Sequence, residues 1–141
     1  MPKLKSPKAK GDTFERDLAS YFNTTHGLRS HRTPLSGGGL GFAYNTAPSA
    51  DLTGTPMIAV EAKRTERLNI HDAMAQAIKT SAAHSNADLP IVITRRNHQL
   101  LSDSLVIMRL KDFSIFYSAL LHKHGYNFLL PPSQPEPGDQ Q

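Results

Sequence analysis

The stretch Asp51-Leu-Thr-Gly-Thr-Pro-Met-Ile-Ala-Val-Glu-Ala-Lys63 decides how this chain is read. Residues 53–56, Thr-Gly-Thr-Pro, have the composition of a turn, and residues 57–63 that of a strand leaving it. Strand side chains alternate between faces, so Met57, Ala59, Glu61 and Lys63 share one side. Ile58, Val60 and Ala62 share the other, and theirs is the side a core would take. Residues 50–52 begin the opposite arm of a hairpin, which brings Asp51 close enough to set its carboxylate beside that of Glu61. Two carboxylates, with a backbone carbonyl, make a hard oxygen site suited to Mg²⁺. Such an ion keeps several waters, polarises a phosphate and lowers the pKa of an attacking water. Lys63 is placed to orient that water or to stabilise charge growing on the phosphate. Glu-x-Lys on a strand also occurs as plain solvated charge, so this segment taken alone leaves both readings open.

Upstream of this stretch, Phe14, Leu18, Tyr21 and Phe22 recur at i, i+4, i+7 and i+8, the apolar stripe of a helix that opens at Gly11-Asp12. Residues 28–33 read as a strand, 34–41 as a glycine-rich loop and 42–45 as extended chain. Downstream, Asn69 and Asp72 look like the cap of a helix over Ile70–His84. Residues 90–94 and 104–109 are β-branched runs with strand composition. Phe113, Phe116, Tyr117, Leu120 and Leu121 mark a last amphipathic helix that Gly125 stops. Helix, strands, helix, two strands, helix is the order of an α/β domain whose mixed β-sheet is flanked by helices. The expected organisation is a flexible basic arm over residues 1–10, one folded domain over 11–130 and a flexible proline-rich tail over 131–141.

A chain of 141 residues with 38% hydrophobic and 20% charged residues is in the range of ordinary soluble globular domains. No apolar run approaches the roughly 18 residues of a membrane span. The absence of cysteine excludes disulfides and thiolate metal sites. These features suggest a cytoplasmic protein, prokaryotic or phage-encoded in the host cytoplasm, with no membrane partner. The formal net charge is +4, and its placement is uneven: Lys3, Lys5, Lys8 and Lys10 lie in the first ten residues, which hold no acid. An arm of this kind pairs with phosphates or merely solubilises. Seven histidines invite a zinc reading, but His122 and His124 do not share a helix face and His71 lies far from His84.

Asp51, a hairpin and then Glu61-x-Lys63 at a strand end resemble the PD-(D/E)xK nuclease superfamily, which has the restriction-endonuclease-like fold. Within it the chain looks most like the archaeal-type Holliday junction resolvases. Lys10-Gly11-Asp-Thr-Phe-Glu15-Arg16 matches the signature that opens their first helix. Ser36-Gly-Gly-Gly39 then leads to Asp51 as their Ser/Gly loop leads to the metal-binding Asp, and the helix and two strands that follow have counterparts too. The likeness spans residues 10 to 112. Ala50 stands where the family often has Pro.

The resemblance implies metal binding by Asp51 and Glu61, joined by Glu15 from the first helix, and a catalytic role for Lys63. For Glu15 the competing reading is a near capping box, Asp12-x-x-Glu15. Ser36 and Gln76 are candidate accessory residues, the latter because many such nucleases carry a Gln on the helix after the Glu-x-Lys strand. Lys10, Arg29, Arg32, Arg64 and Arg67 border the site in sequence and suit phosphate, for which the arginine fork is shaped. The activity implied is Mg²⁺-dependent hydrolysis of DNA, with Mn²⁺ substituting. The substrate implied is branched DNA, the four-way junction, and the form a homodimer. The rivals are another nuclease of the superfamily (nicking, repair or restriction) and a DNA-binding accessory protein whose site is inactive.

Overall fold

The first helix starts earlier than its apolar stripe suggests. In the computed structural model, which describes residues 2–34, 49–84 and 88–126, α1 spans Pro7–His26. Ser6 caps it, its Oγ accepting from the Ala9 N–H at 3.2 Å, and Pro7 takes the first turn, where its missing N–H costs nothing. Two expectations change with this start. Lys8 and Lys10 belong to the helix, so the basic arm among the described residues is only residues 2–6. Asp12 and Glu15 lie inside the helix, so the capping-box reading of Glu15 is wrong.

The chain divides into two compact units, one ending at Met108 and the other beginning at Arg109. In the first unit, α1 is followed by β1 (His31–Arg32), β2 (Leu52–Thr53), β3 (Ile58–Arg64), α2 (Ile70–His84), β4 (Leu89–Arg95), a short 3₁₀ turn (Leu101–Asp103) and β5 (Leu105–Ile107). β3 and β4 run parallel, with Glu61 beside Val92 and Lys63 beside Thr94, and β5 joins β4 antiparallel. The sheet is therefore mixed, with β4 in its centre. Ile91, Val92 and Ile93 of β4 are all buried, as expected of a strand covered on both faces.

Each face of the sheet has its helix. Phe14, Leu18 and Ala19 of α1 pack with Leu52, Val60, Ile91 and Ile93. Ala73 and Ala77 of α2 pack with Val92. α2 begins as expected, with Asn69 Oδ1 accepting from the Asp72 N–H at 3.1 Å. Small side chains on α2 let it lie close to the sheet, and this is the face to which Glu61 and Lys63 belong by alternation.

The expected hairpin is only partly formed. β2 pairs with β1 as a separate two-stranded sheet, His31 beside Thr53 and Arg32 beside Leu52. Asp51, the residue just before β2, bonds to β3: its N–H donates to the Val60 carbonyl at 2.9 Å and its carboxylate accepts from the Ala62 N–H at 2.7 Å. The side chain thus takes the β3 donor that a longer ladder would have used. The strand foreseen over 28–33 shrinks to His31–Arg32, whose partner among the described residues is the two-residue β2. The extended reading of 42–45 and the loop holding Ser36 lie outside the described residues, as do 127–141.

The turn between β2 and β3 admits one sharp test. Gly54 has φ +76°, and a Cβ there would sit 2.5 Å from the Arg29 carbonyl oxygen. Left-handed strain and a clash with backbone combine, so Gly54→Ala should cost about 3 kcal/mol in urea unfolding at an unchanged m-value. Wild-type stability for that variant would show that the turn does not press on the α1–β1 connection.

The described part of the second unit is α3 (Leu110–Lys123), with Arg109 Nε on Asp112 Oδ2 at 2.8 Å and Gly125 ending it at φ +80°. Phe113 and Tyr117 stack at 5.8 Å, and they are exposed together with Phe116 and Leu120.

Candidate active site

The polar side of β3 is not a solvated edge. Glu61 is only 4% exposed, which rules out the plain surface-hairpin reading of Glu-x-Lys. Its Oε1 lies 3.3 Å from Lys63 Nζ. Lys63 Nζ also donates to Gln76 Oε1 on α2 at 3.0 Å, so the helix after the strand helps to orient the lysine. Asp51 is pinned to the peptide between Glu61 and Lys63 by its bond to Ala62.

Glu15 approaches from α1. Asn23 ties β1 to that helix through two bonds to the Ser30 backbone, one of them Nδ2 to the Ser30 carbonyl at 2.9 Å. β1 in turn delivers Arg32, whose guanidinium meets Asp12 at 2.6 Å and Glu15 at 2.5 Å. Arg32, a candidate for holding phosphate, is here the counter-ion of the helix carboxylates. Asp12 went unnoticed in the sequence except as a cap, and only the fold reveals its partner.

The carboxylates feel one another. Burial, then the charge of Glu61, pushes the Asp51 carboxyl up from 3.8 to about 6, against the opposing pull of the Ala62 N–H, Lys63 and Arg32. Burial raises Glu61 too, opposed by Lys63, with Glu15 adding to the rise. Burial raises Glu15, opposed by the bond to Arg32, with Asp51 adding to the rise. Ionised carboxylates crowded in this way fit a divalent cation, which would favour the charged forms that burial disfavours.

Among the described residues no three His, Asp or Glu side chains converge as a ready-made metal group. Glu15 is turned to Arg32, so the donor set that fits an ion is Asp51 and Glu61. Two carboxylates with water and substrate phosphate completing the shell is the usual Mg²⁺ arrangement. Of the other candidates, Gln76 joins the site through Lys63, Arg29 and Arg67 are exposed on separate connections, and Lys10 and Arg64 line a common cleft. Ser36 lies outside the described residues. No helix among the described residues is long and apolar enough to cross a membrane.

Neither the curated proteins nor the solved structures contain a match to this chain. One family model does match, over residues 6–128, and it is described as "phage putative PDDEXK endonuclease". The match takes in α1, the whole sheet, α2 and α3, and therefore every described element of the fold. Its residues include Glu15, Asp51, Glu61 and Lys63, and the mixed sheet between helices is the restriction-endonuclease-like architecture. This chain belongs to the phage PDDEXK endonuclease family.

Proposed function

We propose that the protein is a Mg²⁺-dependent DNA endonuclease working at Asp51, Glu61 and Lys63, with Mn²⁺ able to substitute. The observation that carries this reading is the Asp51 carboxylate anchored on the Ala62 N–H, between a buried Glu61 and its Lys63 partner. Asp51 and Glu61 would hold the ion, which when bound supplies Lewis acidity toward the scissile phosphate and a more acidic water. Lys63 has three N–H donors. Glu61 and Gln76 occupy two, and the third is left for the attacking water or a phosphate oxygen. Glu15, tied to Arg32, sets the charge around Asp51 rather than holding the ion. The reaction is addition of water oxygen to phosphorus and cleavage of one P–O ester bond, giving a phosphate monoester and a free hydroxyl.

Within that activity the proposed substrate is the four-way junction and the active form a homodimer. The support is the order of motifs, Lys10-Gly11 through Glu15 to Asp51 and Glu61-x-Lys63, and the exposed aromatic face of α3. Resolving a junction takes two cuts related by a two-fold axis, and a C₂ dimer supplies two sites with that symmetry. The test offers labelled junction, flap, duplex and single-stranded DNA with Mg²⁺, alongside light scattering. Paired nicks in opposing junction strands by a dimer are the expected result. A monomer, or linear duplex cut as readily as the junction, would sink the junction assignment alone. No Mg²⁺-dependent cleavage of any of these DNAs would sink the nuclease reading.

A further inference from the structure

On the α1 side of the first unit lies a cleft of about 270 Å³ that the catalytic assignment does not use. Its charged lining is Lys3, Lys5, Lys10, Arg64 and Arg95, with Asp17 the single acid. Five cations against one carboxylate give this cleft as much net positive charge as the whole chain carries, +4. Arg64 and Arg95 are register partners on β3 and β4. Like charges directly opposite on neighbouring strands oppose the pairing. A fold that sets two arginines side by side and brings three lysines to them leaves an anion's place between them.

The arginines are held rather than floating. Arg64 Nη1 donates to the Arg96 carbonyl at 2.8 Å, and Arg95 Nε to the Gln99 carbonyl at 2.7 Å. Asp17 is 3.9 Å from Arg95 Nη1, a weak neutralisation. The connection beyond β4 is itself fastened, with the Asn97 N–H on Glu66 and the Arg96 N–H on Gln99. Each guanidinium keeps further N–H donors for a ligand, and the planar fork matches phosphate oxygens. Arg64 also follows Lys63 directly in β3, so the cleft and the carboxylate site occupy opposite faces of one strand end.

We propose that this cleft is a second, non-catalytic phosphate site, which takes the backbone of the nucleic-acid strand next to the cut and holds it in register. The proposal deepens the nuclease reading and rests on it for the identity of the strand. Recognition is of phosphodiester charge, so it is independent of sequence and steeply salt-dependent.

The test measures binding in EDTA, where nothing is cut, by fluorescence anisotropy of a labelled DNA duplex across a salt series. Each phosphate contact contributes about 0.9 to the slope of log affinity against log salt. Lys5→Gln with Arg95→Gln should therefore flatten the slope by about 1.8. Arg16→Gln with Lys79→Gln, equal in charge and on exposed helix positions outside the cleft, should leave it unchanged. Lys3→Gln with Lys5→Gln is confined to exposed residues ahead of α1 and should reproduce the loss without moving the melting temperature. An unchanged slope in both cleft variants, an equal loss in the control pair, or displacement of DNA by poly-glutamate at equal charge would overturn the proposal. Because binding is read without metal, the two readings fail separately. Protein that shows the slope change but never cuts with Mg²⁺ keeps the cleft and loses the nuclease. Protein that cuts with Mg²⁺ but shows no slope change loses only the cleft.

Discussion

Asp51→Asn and Glu61→Gln should each abolish Mg²⁺-dependent cleavage while leaving the fold intact and DNA binding undiminished. Each change removes a negative charge and hardly alters shape, and the amide introduced by Asp51→Asn would retain an oxygen for the Ala62 N–H. Binding should tighten somewhat, since phosphate is repelled by both carboxylates. The metal-free protein supplies a second readout. Folding raises the Asp51 carboxyl from 3.8 to about 6. A raised carboxyl penalises the folded state only where the group is ionised, so stability from this group is fully present below pH 3.8 and lost as pH rises through 6. The difference is at most about 3 kcal/mol. In EDTA, Asp51→Asn should therefore melt higher than the wild type at pH 8 and level with it at pH 3.5. Mg²⁺ should raise the wild-type melting temperature and leave the variant's unmoved. Cleavage by either variant at a near wild-type rate would show that these carboxylates are not the centre.

Lys63→Ala should lower the cleavage rate by about 10²–10³ while Mg²⁺ still stabilises the fold, as for loss of one donor aimed at transition-state charge. The lysine acts on water or phosphate, not on the ion, so single-turnover rate and metal affinity should separate. Gln76→Ala leaves Lys63 its charge and its Glu61 partner and removes only the 3.0 Å bond that aims it. Its loss should be smaller and should vanish when Lys63 is already Ala. Losses that add independently would mean that Gln76 acts by another route. Loss of Mg²⁺-induced stabilisation in Lys63→Ala would mean that the lysine serves the ion's site rather than the chemistry.

Local pattern was enough for much of this. Alternation along residues 57–63 placed Glu61 and Lys63 on one face before any packing was known, because two-residue periodicity follows from strand geometry alone. The span of α2 and its Asn69 cap were legible for a similar reason, since a cap is a contact between residues three apart. The start of α1 was missed because the stripe from Phe14 records where the helix is buried and not where it begins. Ser6-Pro7 was the signal that could have found it.

By itself the sequence determined the helix–strand order, the face of β3 that carries acid and base, and the motif Asp51…Glu61-x-Lys63. Each of these follows from spacings within one element or across one turn. The tertiary structure decided the rest, because it depends on residues far apart in the chain. Arg32 became the partner of Asp12 and Glu15 only when β1 was laid on α1, and Asp51 reached Ala62 by a side chain where a hairpin ladder was expected. Glu61 became a buried carboxylate only in the packed fold, where its partner Lys63 is met by Gln76 of α2. Arg64 and Arg95 are 31 positions apart and meet through the parallel register of β3 and β4, a long-range pairing that no local pattern encodes.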